Sequence, residues 1–166
     1  NVAAALVGGF IFTRSYEPMD VARVEIPEIP VVINVMRKKE RTTRGFISEE
    51  FCLEEIREQS AHCVMVLHSL VNGDLENLGR AISFDLISEP VRSNSIEGYW
   101  EIKERILKAG AYGFNISGGG SSVFAICDSD RIEKISEILK EELRKRNIEP
   151  HIIKTSTGNE GITEIQ

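Results

Sequence analysis

Gly113-Phe114-Asn115-Ile116-Ser117-Gly118-Gly119-Gly120-Ser121-Ser122-Val123-Phe124-Ala125-Ile126 is the stretch that decides the fold. Apolar runs on either side of a serine-flanked triple glycine read as strand, loop, strand, with the strands at residues 112–116 and 123–126. Successive glycines let a backbone approach a ligand closely and turn several N–H groups inward, an arrangement that favours an anion. A triple glycine is also at home in a flexible turn. No Gly-Lys-Ser/Thr follows and the next element is a strand, which excludes both a Walker phosphate loop and a dinucleotide fingerprint.

Downstream, Asp128 or Ser129 is placed to cap a helix over residues 131–146. Its Ile132, Ile135, Ile138, Leu139 and Leu143 recur at three-and-four spacing and predict one buried face. A last strand is expected at 151–154, followed by a polar Ser-Thr-Gly-Asn turn. Upstream, helices are predicted from Ser48-Glu49-Glu50 to about residue 70, over 75–84 behind Asp74, and over 96–108 ahead of Gly110. The first of these carries Ile56, Cys63, Val66 and Leu67 on one face, and Gly73 ends it. Glu89-Pro90 reads as a break between the second and third. Gly8-Gly9 turns into a strand at Phe10, and residues 21–26 and 31–35 read as two more strands punctuated by Pro27 and Pro30. Segregated strands and helices point to an α+β fold, a mostly antiparallel sheet covered on one face. Residues 1–166 read as a single domain.

The 166 residues carry a formal charge of −6, which argues against a nucleic-acid binder; the local exception is Arg37-Lys38-Lys39-Glu40-Arg41 with Arg44 beyond it. Cys52, Cys63 and Cys127 are odd in number and far apart, so a disulfide framework is not expected and a reducing cytoplasm is the natural setting. Each sits in an apolar stretch and is expected to behave as a small hydrophobe. The apolar residues 2–12 are too short to span a bilayer and lack a basic leader before them. They begin in mid-pattern, as a segment of a longer protein would. Val64-Met65-Val66-Leu67 can pack against the core or a second subunit, which leaves a homodimer open.

Arg92 in Glu89-Pro90-Val91-Arg92 has the planar fork that grips a carboxylate, as does Arg44 after Thr42-Thr43. By itself each reads more readily as a surface arginine. His62 and His68 do not share a helical face, and no HExxH or His/Cys cluster occurs. Ser117 and Ser121 do not form a GxSxG elbow.

Taken together, these segments resemble the homoserine kinase family of the galactokinase, homoserine kinase, mevalonate kinase and phosphomevalonate kinase (GHMP) superfamily. Asn1-Val2-Ala3-Ala4-Ala5-Leu6-Val7-Gly8-Gly9-Phe10 is similar to that family's DNVAPALLGGF segment, Glu89-Pro90-Val91-Arg92 to its EPxR, and residues 113–128 to its GxxISGSGPSxFAL motif. The motifs occur in the family's order across most of the chain. The resemblance implies a ferredoxin-like antiparallel sheet with helices on one face, the GHMP carboxy-terminal domain. It implies transfer of the ATP γ-phosphoryl group to the hydroxyl of L-homoserine, on the route to threonine. By the same resemblance Asn1 lies at the edge of the amino-acid site, Arg92 and Arg44 contact the substrate, and Ser117, Gly118, Gly119 and Gly120 form the loop beside the phosphates. ATP and Mg²⁺ are implied as partners; no nucleic acid or membrane is.

Three departures stand out. Ser121 occupies the place of the motif's proline, Glu40 that of a threonine four residues before Arg44, and the tail Thr157-Gly158-Asn159-Glu160-Gly161 follows the family's ending only roughly. The superfamily's PxxxGLGSSAA loop and amino-terminal ATP-binding domain are not among these residues, so the isolated chain is expected to be inactive. A kinase for shikimate or mevalonate is the neighbouring alternative, since both are carboxylates. A non-catalytic metabolite-binding domain of ferredoxin-like fold is the alternative from another class.

Overall fold

The computed structural model describes residues 2–35, 47, 50–119 and 122–163. Helix α1 (Val2–Val7) leads through Gly8-Gly9 into a hairpin of β1 (Phe10–Tyr16) and β2 (Met19–Val24), paired as a separate two-stranded sheet. The main sheet begins with β3 (Pro30–Val35). Helices α2 (Leu53–Asn72), α3 (Leu75–Ile82), the single turn α4 (Glu89–Arg92) and α5 (Tyr99–Lys108) follow. The chain then returns through β4 (Gly113–Ser117), β5 (Ser122–Ile126), α6 (Ile132–Lys145) and β6 (Ile152–Ser156).

The sheet order is β4-β5-β3-β6 and every neighbouring pair is antiparallel. A βαββαβ path with the two outer-sequence strands side by side in this order is the ferredoxin-like arrangement that the motifs implied. Because side chains alternate along a strand, the sheet has two apolar faces. Val32, Phe114, Val123, Ala125 and Cys127 meet Ile102 and Ile106 of α5 and Ile135, Leu139 and Leu143 of α6, all buried. This is the helix-covered face that was expected, and the predicted apolar stripe of α6 supplies Ile135, Leu139 and Leu143 to it.

The opposite face is covered as well. Val31 and Ile126 pack against Leu70 of α2 and Leu78 of α3, with Val66, Ile82 and Phe124 at the margin. Helix α3 also lies very close to the start of β4. A Cβ on Gly79 would come within 2.0 Å of the Tyr112 carbonyl oxygen, so only glycine permits this approach.

Several local expectations shift. Helix α2 begins at Leu53, with the Cys52 N–H donating to Glu55 Oε2 at 2.8 Å, whereas Ser48 and Glu49 lie outside the described residues. Its core-facing residues are Val66 and Leu70; Ile56 and Cys63 are exposed. Gly73 ends it in the left-handed region and Asp74 caps α3 through the Asn77 N–H, both as read. Glu89-Pro90 is a helical turn and not a break, since proline is tolerated in a first turn where its missing N–H would be unpaired anyway. Asp128 caps nothing with its side chain; its carboxylate accepts from the Tyr112 hydroxyl at 3.0 Å. Cys52 and Cys63 are exposed, and the small-hydrophobe reading holds for Cys127 alone.

The tail ties the amino-terminal arm to the domain. Asn159 spans the backbone of Ile26, accepting its N–H at 2.9 Å and donating to its carbonyl at 2.7 Å. Arg23 reaches the Asn159 carbonyl at 2.8 Å, and the Ile162 N–H donates to the Leu6 carbonyl at 3.2 Å. Among the described residues no helix is long and apolar enough to cross a membrane.

Candidate active site

Two of the motifs that lie far apart in sequence meet in space. The Arg92 guanidinium, at the end of α4, donates from Nη1 to the carbonyl of Gly118 at 2.7 Å. Gly118 has a φ of +58° and opens the loop that joins β4 to β5, directly after the paired ends Ser117 and Ser122. Arg92 Nε is buried and has no hydrogen-bond partner among the described residues. One edge of the fork is thus anchored on the glycine loop, and a guanidinium held in this way is suited to an oxyanion.

A buried polar cluster lies beneath this contact. Glu89, the first residue of α4, is 3% exposed and forms an ion pair with Lys103 of α5. The Tyr99 hydroxyl donates to the same carboxylate and lies 3.3 Å from Asn115 Oδ1 in β4. Lys103 also donates to the Ser83 carbonyl at 2.7 Å, and Asn115 Nδ2 to that of Ile82 at 2.6 Å. Burial, followed by the hydrogen bond to Glu89, pushes the Tyr99 hydroxyl well above its ordinary pKa, so it stays a donor. The loop before α4 is set by Asp85, whose Oδ1 accepts the N–H groups of Ile87 and Ser88 at 2.8 Å each.

Beside the cluster, a cleft of 240 Å³ opens between α2, α3 and the sheet, lined by Gln59, His62, Cys63, Asp85, Asn115 and Phe124, among others. His62 stacks on Phe84 with ring centroids 3.6 Å apart. Among the described residues no three His, Cys, Asp or Glu side chains gather as a metal site.

Of the residues singled out in the sequence, Arg92, Ser117, Gly118 and Gly119 converge on one corner of the sheet, and the first and third touch. Asn1, Arg44 and Gly120 lie outside the described residues, as do Thr42, Thr43 and Ser121.

Residues 66–145 match the family model for the carboxy-terminal domain of GHMP kinases, which covers α3, α4, α5, the β4–β5 loop and α6. This region is a GHMP kinase carboxy-terminal domain. It is 34% identical over 142 residues to a homoserine kinase of Methanococcus maripaludis, covering 85% of this chain and 47% of that protein. It is also 34% identical over 166 residues to a homoserine kinase of Chloroherpeton thalassium, covering 97% and 52%. The crystal structure of homoserine kinase from Cytophaga hutchinsonii superposes with a TM-score of 0.87 at 30% identity, over 97% of this chain and 52% of that one. The chain therefore spans about half the length of the curated relatives it matches.

Within this GHMP kinase domain, the residues that sequence reasoning missed are Glu89, Tyr99, Lys103 and Asn115. Glu89 was quoted only as part of the EPVR stretch, and Lys103 looks like one more surface cation of a charged helix. The available signal was Tyr99 and Lys103 at i,i+4, one helical face carrying a hydroxyl and an ammonium together.

Proposed function

We propose that this chain is the carboxy-terminal part of an ATP-dependent kinase for a small hydroxylated amino acid, L-homoserine, in threonine biosynthesis. The observation that carries the reading is the part-exposed Arg92 fork held on the Gly118 carbonyl of the glycine loop. A guanidinium fork suits a substrate carboxylate, and an amino acid held there would lie beside the glycine loop. Arg44 and Asn1 are proposed as further substrate contacts, and Ser117, Gly118, Gly119 and Gly120 as the loop flanking the phosphates.

In the reaction the substrate hydroxyl oxygen forms a bond to the γ-phosphorus, the bond from that phosphorus to the ADP oxygen breaks, and the hydroxyl proton passes to solvent water. ATP supplies the phosphoryl group. Such transfer depends on positioning and charge stabilisation more than on covalent chemistry, and this domain's residues contribute positioning. Mg²⁺ and most nucleotide contacts are assigned to a PxxxGLGSSAA-type segment, a sequence that these 166 residues do not contain. The isolated chain is accordingly proposed to be inactive and the working protein to be cytoplasmic, with Val64 and Met65, both exposed, available to a second subunit.

The test supplies Mg-ATP with homoserine, shikimate or mevalonate to the segment joined to an ATP-binding amino-terminal half, and reads products by mass spectrometry. Phosphohomoserine is expected, and Arg92→Ala should raise the KM for homoserine about a hundredfold. Phosphorylation of another alcohol would change the substrate. Absence of transfer to all of them would overturn the kinase reading.

A further inference from the structure

We infer that Glu89, Tyr99 and Lys103 form a buried positioning device that aims Arg92 at the glycine loop. Helix α4 is a single turn of 4 residues, too short to hold its own conformation, because the first helical turn costs more than it returns. What sets the direction of Arg92 is therefore what anchors the turn. The deepest anchor is the Glu89 carboxylate, three residues before Arg92, gripped by Lys103 and the Tyr99 hydroxyl. The same hydroxyl lies against Asn115, three residues before Gly118 in β4, and the same ammonium holds the Ser83 carbonyl. One cluster thus fixes both partners of the Arg92–Gly118 contact.

A buried ion pair is a poor device for stability alone. Desolvating two charges costs about as much as their attraction returns, and apolar residues of similar volume often serve as well. The Lys103 and Glu89 side chains are only 10% and 4% exposed. Directional bonds to a carboxylate, by contrast, set orientation, which an apolar plug does not. The inference rests on the proposed role of Arg92 for its catalytic meaning, though the coupling itself can be read without substrate.

The experiment compares Tyr99→Phe and the double variant Glu89→Leu/Lys103→Met with the parent 166-residue chain. Arg92 Nε–H and Nη signals are followed by ¹⁵N NMR, assigned by their loss in Arg92→Lys, and urea midpoints are measured alongside. The double variant is expected to keep its midpoint within the scatter of the parent while the Arg92 signals collapse to free rotation and fast exchange. Tyr99→Phe should show the same change in part, and Glu89→Asp/Lys103→Arg, which restores a charged pair, should recover the parent pattern. In the active, longer protein the double variant should raise the amino-acid KM about tenfold with kcat little changed.

Arg92 signals that stay as in the parent, in a folded double variant or in Tyr99→Phe, would overturn the inference. Should the double variant not fold, Tyr99→Phe decides alone. Altered Arg92 signals in a protein that phosphorylates no amino acid would sink the substrate assignment and leave the positioning device standing.

Discussion

The two faces of the main sheet are built differently. Against α5 and α6 the packing is closed: Phe114, Ala125, Cys127, Ile106, Ile135, Leu139 and Leu143 are each 0% exposed. Against α2 and α3 it is looser. Val66, Ile82 and Phe124 are only partly covered and line a cleft of 240 Å³ with Gln59 and His62, and α2 leaves Leu53, Ile56, Val64 and Val71 exposed. The Arg92–Gly118 contact is tied to the closed face through Glu89, which Tyr99 and Lys103 hold. The difference teaches where rigidity is used. The closed face anchors the turn that carries the fork, and the loose face holds the cleft.

Paired truncations are the strongest way to break this comparison. Leu139→Ala should cost about 3 kcal/mol in equilibrium urea unfolding, because the close-packed face cannot collapse into the void. Val66→Ala, on the margin of the cleft, should cost about 1 kcal/mol, since less area is buried and the space already opens to solvent. Equal costs would show that the faces are equally packed.

A smaller effect is expected at the solvent edge of the closed face, where Glu142 of α6 pairs with Arg105 of α5 and with Lys145 and Arg146. Burial alone would raise its carboxyl, yet the hydrogen bonds from Lys145 and Arg146 and the charge of Arg105 outweigh it and hold the pKa down to about 2. The folded state then binds this proton later than the unfolded one. Its contribution is complete above the ordinary carboxyl value near 4.5 and is lost as pH falls toward 2. Melting temperature followed from pH 6 to pH 2 should therefore drop less steeply in Glu142→Gln, which at neutral pH loses on the order of 1 kcal/mol. A parallel pair of curves would remove Glu142 from the account.

The smallest perturbation uses thiols as reporters. Cys127 lies on the closed face, and burial, then the neighbouring Asp128, push its pKa up to about 11 from 9.0. Cys63 is exposed beside the cleft, and Cys52 is exposed at the start of α2. Iodoacetamide at neutral pH should modify Cys52 and Cys63 while Cys127 reacts at least about a hundredfold more slowly, matching the loss of thiolate over two pKa units. Rapid labelling of Cys127 in the native protein would mean that the closed face opens readily.

Much of the fold was legible because it is local and periodic. The stripe of α6, the glycine punctuation after α2, the Asp74 cap and the strand–loop–strand about Gly118–Gly120 all follow from residues a few positions apart. The misreadings share one cause. Pro90 reads as a break until its place in a first turn is known, and Ile56 and Cys63 read as core because α2 was given a single apolar stripe from end to end. The second covered face of the sheet went unforeseen for a related reason: nothing in the helix pattern of α2 or α3 says which sheet surface it will meet.

The sequence by itself determined most of the element order and the α+β class, because spacing and residue type carry that information along the chain; the ferredoxin-like topology was implied by the family its motifs resemble. Tertiary structure alone decided that Arg92 meets Gly118 and that Glu89 is buried on Lys103. Those contacts join residues 26 and 14 positions apart. Their energy depends on desolvation and on the geometry of several elements at once, which no local pattern records.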